Sequence, residues 1–309
     1  MKIVFMGTPE FSVPCLQRLI DEKYDVVGVF TQPDKPKGRG YELSPPAVKV
    51  CALANNIAVF QPKSMKDGEA LKILKELEPE LIVVIAYGKI LPADILYFPK
   101  YGSINIHASL LPKYRGAAPI QWAVINGEQK SGVTSMQMNE GIDTGDMLLK
   151  AEIPIDINMT AGELHDALSK IGADVMQDTI KAIIENRLNP IKQNDNISTY
   201  SPMLSKELCP IDFNKSALEI HNKVRGLSPW PVATAILDGK KVKIHKTGLS
   251  KIITEKSAGT IISNDDKLTV ACGDKKCVDI LELQLEGKKR MNVKDFLLGH
   301  KISLDTKFN

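Results

Sequence analysis

At 309 residues, 43% hydrophobic and 25% charged, the chain has the composition of a folded globular protein rather than a disordered one, and its length suits two domains better than one core. Nowhere do about 18 apolar residues run together without charge, and the opening stretch MKIVFMGTPEF is broken by Gly7 and Pro9 before it could serve as a leader, so a cytoplasmic protein without membrane contact is expected. The net charge of +3 is uneven: residues 1–200 carry 21 Lys+Arg against 24 Asp+Glu, and residues 201–309 carry 19 against 13. A basic second half suits a polyanionic partner through release of condensed counterions, and it equally suits a lysine-rich solvated surface. Five scattered cysteines fit a reducing compartment and form no zinc-site spacing.

In chain order, KIVFMG, DVVGVFTQ and LIVVIAY are short, nearly continuous apolar runs, as in strands buried on both faces of a parallel sheet. Helical patterns alternate with them: FSVPCLQRLIDEK, PPAVKVCALANN and KDGEALKILKELEPE. The alternation predicts a doubly wound α/β first domain, over residues 1–189, with ligands beyond the carboxyl ends of its strands. Gly7 follows the first strand without a G-x-G-x-x-G or P-loop pattern, which argues against a nucleotide site there. Residues 31–46, TQPDKPKGRGYELSPP, are too long and basic for a minimal connection, and loops of that kind are usually functional or disordered.

SINIHAS places Asn105 and His107 two positions apart in a predicted strand, so both side chains leave the same face while Ile104 and Ile106 point the other way. Pro112 ends the strand region, so the pair stands near a strand's carboxyl end. After the next strand, GVTSMQMN, the loop EGIDTGD holds Asp143 between two glycines, which let the backbone turn and offer the carboxylate to a cleft. Amide, imidazole and carboxylate suit acyl transfer to an amine: donors for an oxyanion, and a base for the proton of the nucleophile. Buried Asn and His that merely satisfy one another, with Asp143 closing a turn, fit the same spacing.

A long amphipathic pattern over 160–187 opens with Thr160 and Glu163 as a capping box. Residues 190–206, polar and proline-punctuated, are the expected linker, and 207–309 the second domain. There SALEIHNKVRGLS reads as a helix, and five or so short strands read as a small, OB-like β-barrel. His221 and Arg225, one helical turn apart, are candidates to meet a polyanion.

SINIHASLLPKYRGAAPIQWAVINGE and GVTSMQMNEGIDTGDML resemble the formyltransferases that use 10-formyltetrahydrofolate, and FMGTPEF, VFTQPDKPKGRG, YSPMLSKE, VRGLSPWPVA and LEGKKRMNVKDFL extend the likeness nearly end to end. The resemblance is to those members of the family that formylate the methionine on initiator tRNA. It implies a Rossmann-like first domain, 10-formyltetrahydrofolate as co-substrate, methionyl initiator tRNA as partner and a carboxy-terminal OB-like tRNA-binding domain; a monomer is expected, and the scattered cysteines and histidines predict no metal. Its catalytic trio falls on Asn105, His107 and Asp143. It places folate contacts at Ser109, Leu110, Leu111 and Pro112, with 86–92 bordering the same cleft, and tRNA contacts at Lys35, Lys37 and Arg39. Tyr41 and Glu42 stand where relatives often carry further basic residues, which leaves fewer phosphate contacts. Formylation of a small amine such as glycinamide ribonucleotide or an amino sugar, and a noncatalytic RNA-binding protein, are the other two readings.

Overall fold

The computed structural model describes residues 1–37 and 42–309. Its first unit comprises 1–116, 132–153 and 165–200, and its second 117–131, 154–164 and 201–309. The units therefore interlace in sequence, where sequence reading expects a single crossing at 190–206. Two short excursions, 117–131 and 154–164, belong with the carboxy-terminal part.

The first unit is built on β1 (Lys2–Gly7), β2 (Asp25–Phe30), the hairpin strands β3 (Lys35–Lys37) and β4 (Glu42–Ser44), β5 (Val59–Phe60), β6 (Leu81–Ile85), β7 (Ser103–His107), the short β8 (Arg115–Gly116), β9 (Lys130–Gln137), β10 (Met147–Pro154) and β11 (Tyr200–Ser201). Seven of them form one sheet in the order β10-β9-β7-β6-β1-β2-β5. From β5 through β7 all neighbours are parallel, whereas β9 runs antiparallel to β7, with Asn105 opposite Met136 and His107 opposite Thr134. Chain order reverses at β1, so the crevice at the carboxyl ends of β1, β6 and β7 is the topological switch point where open sheets bind ligands. All five side chains of β6 are buried, as are Ile3 to Met6 of β1, which is why these strands read as unbroken apolar runs.

The predicted helices form as α1 (Val13–Asp21), α2 (Ala47–Ala54) and α3 (Glu69–Leu77), followed by α4 (Ala93–Leu96), α5 (Pro119–Ile125) and α6 (Ala161–Ile184). Ala70 and Leu74 of α3 pack with Val4, Phe30, Ile82 and Val84 in one core cluster. Burying each such large side chain is worth roughly 1.5–3 kcal/mol. Among the described residues no helix is long and apolar enough to cross a membrane.

In the second unit, Glu163 Oε2 accepts the Thr160 N–H at 2.8 Å while Thr160 Oγ1 accepts the Glu163 N–H at 3.2 Å, the expected capping box. A second box, Ser216 with Glu219, opens α7 (Ala217–Gly226). The sheet that follows is antiparallel: β12 (Ala233–Leu237), β13 (Lys240–Ile253), β14 (Ile261–Ser263), β15 (Leu268–Ala271), β16 (Lys276–Leu285) and β17 (Met291–Asn292), in the order β12-β13-β16-β15-β14 with β17 on β16, before α8 (Val293–Gly299). Residues 305–309 lie between its two edges. Asn309 exchanges both backbone hydrogen bonds with Ile236, while Phe308 N–H donates to Gly259 O and Ile261 N–H to Thr306 O. That segment closes the sheet into the expected small barrel.

His221 and Arg225 do not face solvent. They are 2% and 5% exposed and tie α7 to the 156–159 turn. His221 Nε2 donates to Ile157 O and its Nδ1 accepts from Thr247 Oγ1, both at 2.9 Å; Arg225 donates to Asp156 O, Met159 O and Asn222 Oδ1. The i, i+4 spacing that suggested a basic face instead marks a buried one. Burial, reinforced by the Arg225 charge, pushes the His221 imidazole below its ordinary value despite the bond to Ile157. A depressed imidazole means stability that is full above the unfolded value of about 6.5 and is lost as pH falls through the lower folded value. Thermal midpoints measured from about pH 7 to 5 should therefore fall more steeply for the wild type than for His221→Gln.

Candidate active site

β7 buries Ile104 and Ile106 on one side and presents Asn105 and His107 on the other, the former half-buried and the latter buried. Asp143, in the connection between β9 and β10, folds back onto that face. Its Oδ2 lies 3.6 Å from His107 Nδ1 and accepts the Gly116 N–H at 2.8 Å, while its Oδ1 accepts from Asn105 Nδ2 at 3.4 Å. The side chains of His107 and Asp143 are only 7% and 13% exposed, so the carboxylate acts on the ring through little water. On its far side His107 Nε2 donates to Tyr114 O at 2.9 Å. A carbonyl can only accept, so Nε2 carries a proton and Nδ1 is the nitrogen that faces the carboxylate.

The two glycines around Asp143 serve differently from the sequence expectation. Asp143 itself takes the left-handed conformation, at φ 52°, and neither Gly141 nor Gly145 does. Gly145 is there for space: a Cβ on it would stand 1.7 Å from Gln137 O, and one on Gly141 would stand 2.1 Å from Thr144 Oγ1. Asn139 Oδ1 accepts from Gly141 N–H and Thr144 Oγ1, bracing the same loop. Gly7 also has a packing role, because a Cβ there would meet Phe5, Ser12 and the Ile85 carbonyl.

Residues 109–112 turn away from β7. Ser109 Oγ donates to Lys113 O at 2.7 Å, and Thr134 Oγ1 donates to Ser109 O while accepting the Leu111 N–H. Leu111 is 1% exposed and packs with Met136 and Met147, so of the two leucines it is Leu110, half-buried, that offers apolar surface. Pro112 is also half-buried. Lys150 Nζ donates to Leu111 O at 2.7 Å, and desolvation pushes its pKa down. Next along the sheet, Thr8 after β1 and Gln32 after β2 both donate to Tyr87 O, and Gln32 also to Gly88 O, so the loops that follow β1, β2 and β6 are stitched together at the switch point.

Of the basic loop, Arg39 lies outside the described residues, as do Gly38, Gly40 and Tyr41. Lys35, exposed, and Lys37 belong to β3, which pairs antiparallel with β4. At the foot of that hairpin Asp34 is gripped by Lys49 Nζ at 2.8–2.9 Å and by Gln61 Nε2 at 2.8 Å, bonds that hold its carboxyl below the usual range. Sequence reading missed Lys49, Gln61 and the clasp they form. An open cleft of about 640 Å³ between α1 and α2, lined by Val13, Pro14, Pro45, Ala47 and Val50 among others, holds none of the expected site residues.

The sequence profile described as formyl transferase matches residues 1–180, and that of the formyl transferase C-terminal domain matches 203–301. The chain is 50% identical over 98% of both chains to a protein named methionyl-tRNA formyltransferase from Caldanaerobacter subterraneus subsp. tengcongensis, and 51% identical over 99% of both to one of the same name from Clostridium novyi. Among solved structures it is similar to a sugar 3N-formyl transferase, WlaRD, crystallised with dTDP and 5-N-formyl-THF: TM-score 0.70, 25% identity, 94% of this chain and 99% of that one.

Proposed function

Because the chain belongs to the formyl transferase family, we propose that it transfers the formyl group of 10-formyltetrahydrofolate to the α-amino group of methionine esterified to initiator tRNA, as a cytoplasmic monomer. The observation that carries this reading is the end-to-end identity of about half with proteins named methionyl-tRNA formyltransferase, which spans both units. In the reaction the α-amino nitrogen forms a bond to the formyl carbon, the donor's carbon–nitrogen bond breaks, and one proton leaves the amine while one is returned to the departing nitrogen. Asn105 donates from its amide to the oxygen that gains charge, and protonated His107 adds a second stabilising group. Asp143 holds the ring and takes up the amine's proton, directly or through water. The donor fits against Ser109 to Pro112, where Leu110 supplies apolar surface, and the tRNA fits the basic second unit together with Lys35, Lys37 and Arg39.

A second reading, formylation of an amino sugar, is favoured by the likeness to WlaRD at a TM-score of 0.70. One assay separates the two. With 10-formyltetrahydrofolate as donor, the purified protein should formylate methionyl initiator tRNA and leave uncharged tRNA, methionyl elongator tRNA, a dTDP-linked amino sugar and glycinamide ribonucleotide unchanged. Turnover confined to a small amine would overturn the proposal.

A further inference from the structure

We infer that residues 193–199, a stretch that reads as linker, contain two positioning residues for the trio, Gln193 and Thr199, one holding the Asp143 loop and the other the carbonyl that orients His107. The inference rests on the function proposed above for its kinetic arm and stands apart from it for its spectroscopic one.

Gln193 is 5% exposed, an unusual place for an amide in a polar segment. Its Nε2 donates to Asp143 O and to Gly145 O, each at 2.8 Å, and its Oε1 accepts from Arg115 Nε at 3.0 Å. The amide has one orientation, because a guanidinium only donates and the two carbonyls only accept. Arg115 is braced in turn by Asp195, at 2.7 Å from its Nη2. The loop that carries Asp143 is thus held at two of its backbone carbonyls by one buried side chain.

Six residues on, Thr199 Oγ1 accepts the Tyr114 N–H at 2.8 Å and Thr199 O accepts the Arg115 N–H at 2.9 Å. Tyr114 O is the acceptor for His107 Nε2. The two residues whose oxygens face the ring nitrogens, Tyr114 at φ 60° and Asp143 at φ 52°, stand in the left-handed region without being glycine. Such conformations persist only where neighbours over-determine them. Gln193 and Thr199 are among those neighbours: one holds the backbone that carries the carboxylate beside Nδ1, the other the residue whose carbonyl meets Nε2.

The test uses the full chain. Gln193→Met keeps length and removes the amide, and Thr199→Val removes the hydroxyl that Thr199→Ser keeps. Both Gln193→Met and Thr199→Val should lose about 10- to 100-fold in kcat per folded molecule, with KM for both substrates within about twofold, and Thr199→Ser should restore the turnover lost in Thr199→Val. A merely structural role would lower the thermal midpoint and leave kcat per folded molecule unchanged, which would overturn the inference. The ¹⁵N resonances of the His107 ring, which report the proton on each nitrogen, should move in Gln193→Met and Thr199→Val and stay near wild type in Thr199→Ser. Unchanged ring resonances would overturn the inference whatever substrate the protein takes. Wild-type inactivity on methionyl initiator tRNA, with displaced ring resonances in the variants, would overturn only the proposed substrate.

Discussion

Asn105→Ala and Asp143→Asn are each expected to lower kcat by about 10² to 10³, while the thermal midpoint and the KM for tRNA change little. Asn105 touches Asp143 only at 3.4 Å, a long bond whose loss costs the fold little, so its amide is free to turn to a substrate oxygen. Asp143→Asn keeps the shape and replaces the charge 3.6 Å from Nδ1 with an amide. It also leaves an oxygen to accept the Gly116 N–H, which separates the electrostatic role from the structural one. Steady-state kinetics beside a thermal melt decides the matter. Should each variant fail to fold instead, the three side chains would be a buried polar network with no chemical duty.

Gly145→Ala tests the same geometry without touching a functional group, and its loss should again be about 10²-fold or more in kcat. A Cβ would stand 1.7 Å from Gln137 O, a backbone atom within the sheet, so the loop must retreat by more than an ångström. Displacements of that size are enough to lose about two orders of magnitude in rate. Both bonds from Gln193 to the loop would stretch or break with it. Gly248→Ala is the control, because the nearest atom to its Cβ is Leu281 Cδ1 at an ordinary 3.6 Å. Comparable kcat values for the two variants would mean that the Asp143 loop tolerates displacement.

Asn105 and His107 were legible because strand alternation alone puts them on one face, and the central strands were legible because burial on both faces leaves unbroken apolar runs. Other features depend on long-range contacts that leave no local pattern. β9 is largely buried although its sequence KSGVTSMQ is mostly polar, and nothing in that sequence tells that it runs antiparallel to β7. Gln193 and Thr199 sit in a polar, proline-flanked stretch whose composition is that of a connector; only the carbonyls and N–H groups they meet 48 to 85 residues away reveal their use. Gly141 and Gly145 were found for the wrong physical reason, since it is excluded volume and not a left-handed turn that demands them. His221 and Arg225 show the reverse error: polar residues at helical spacing, taken for a surface, spend every polar contact that the structure gives them inside the second unit.

Closure of the barrel by residues 305–309 has a consequence for biosynthesis. β12 leaves the ribosome some seventy residues before the segment that covers its edge, and β14 some forty before. During those seconds of elongation the Ile236 end of β12, whose Thr234 is already paired by Cys209 and Ile211, and the outer edge of β14 offer unpaired N–H and C=O groups, templates for pairing with another nascent chain. The hazard therefore belongs to translation rather than to the finished molecule, and any pause before codon 305 lengthens it.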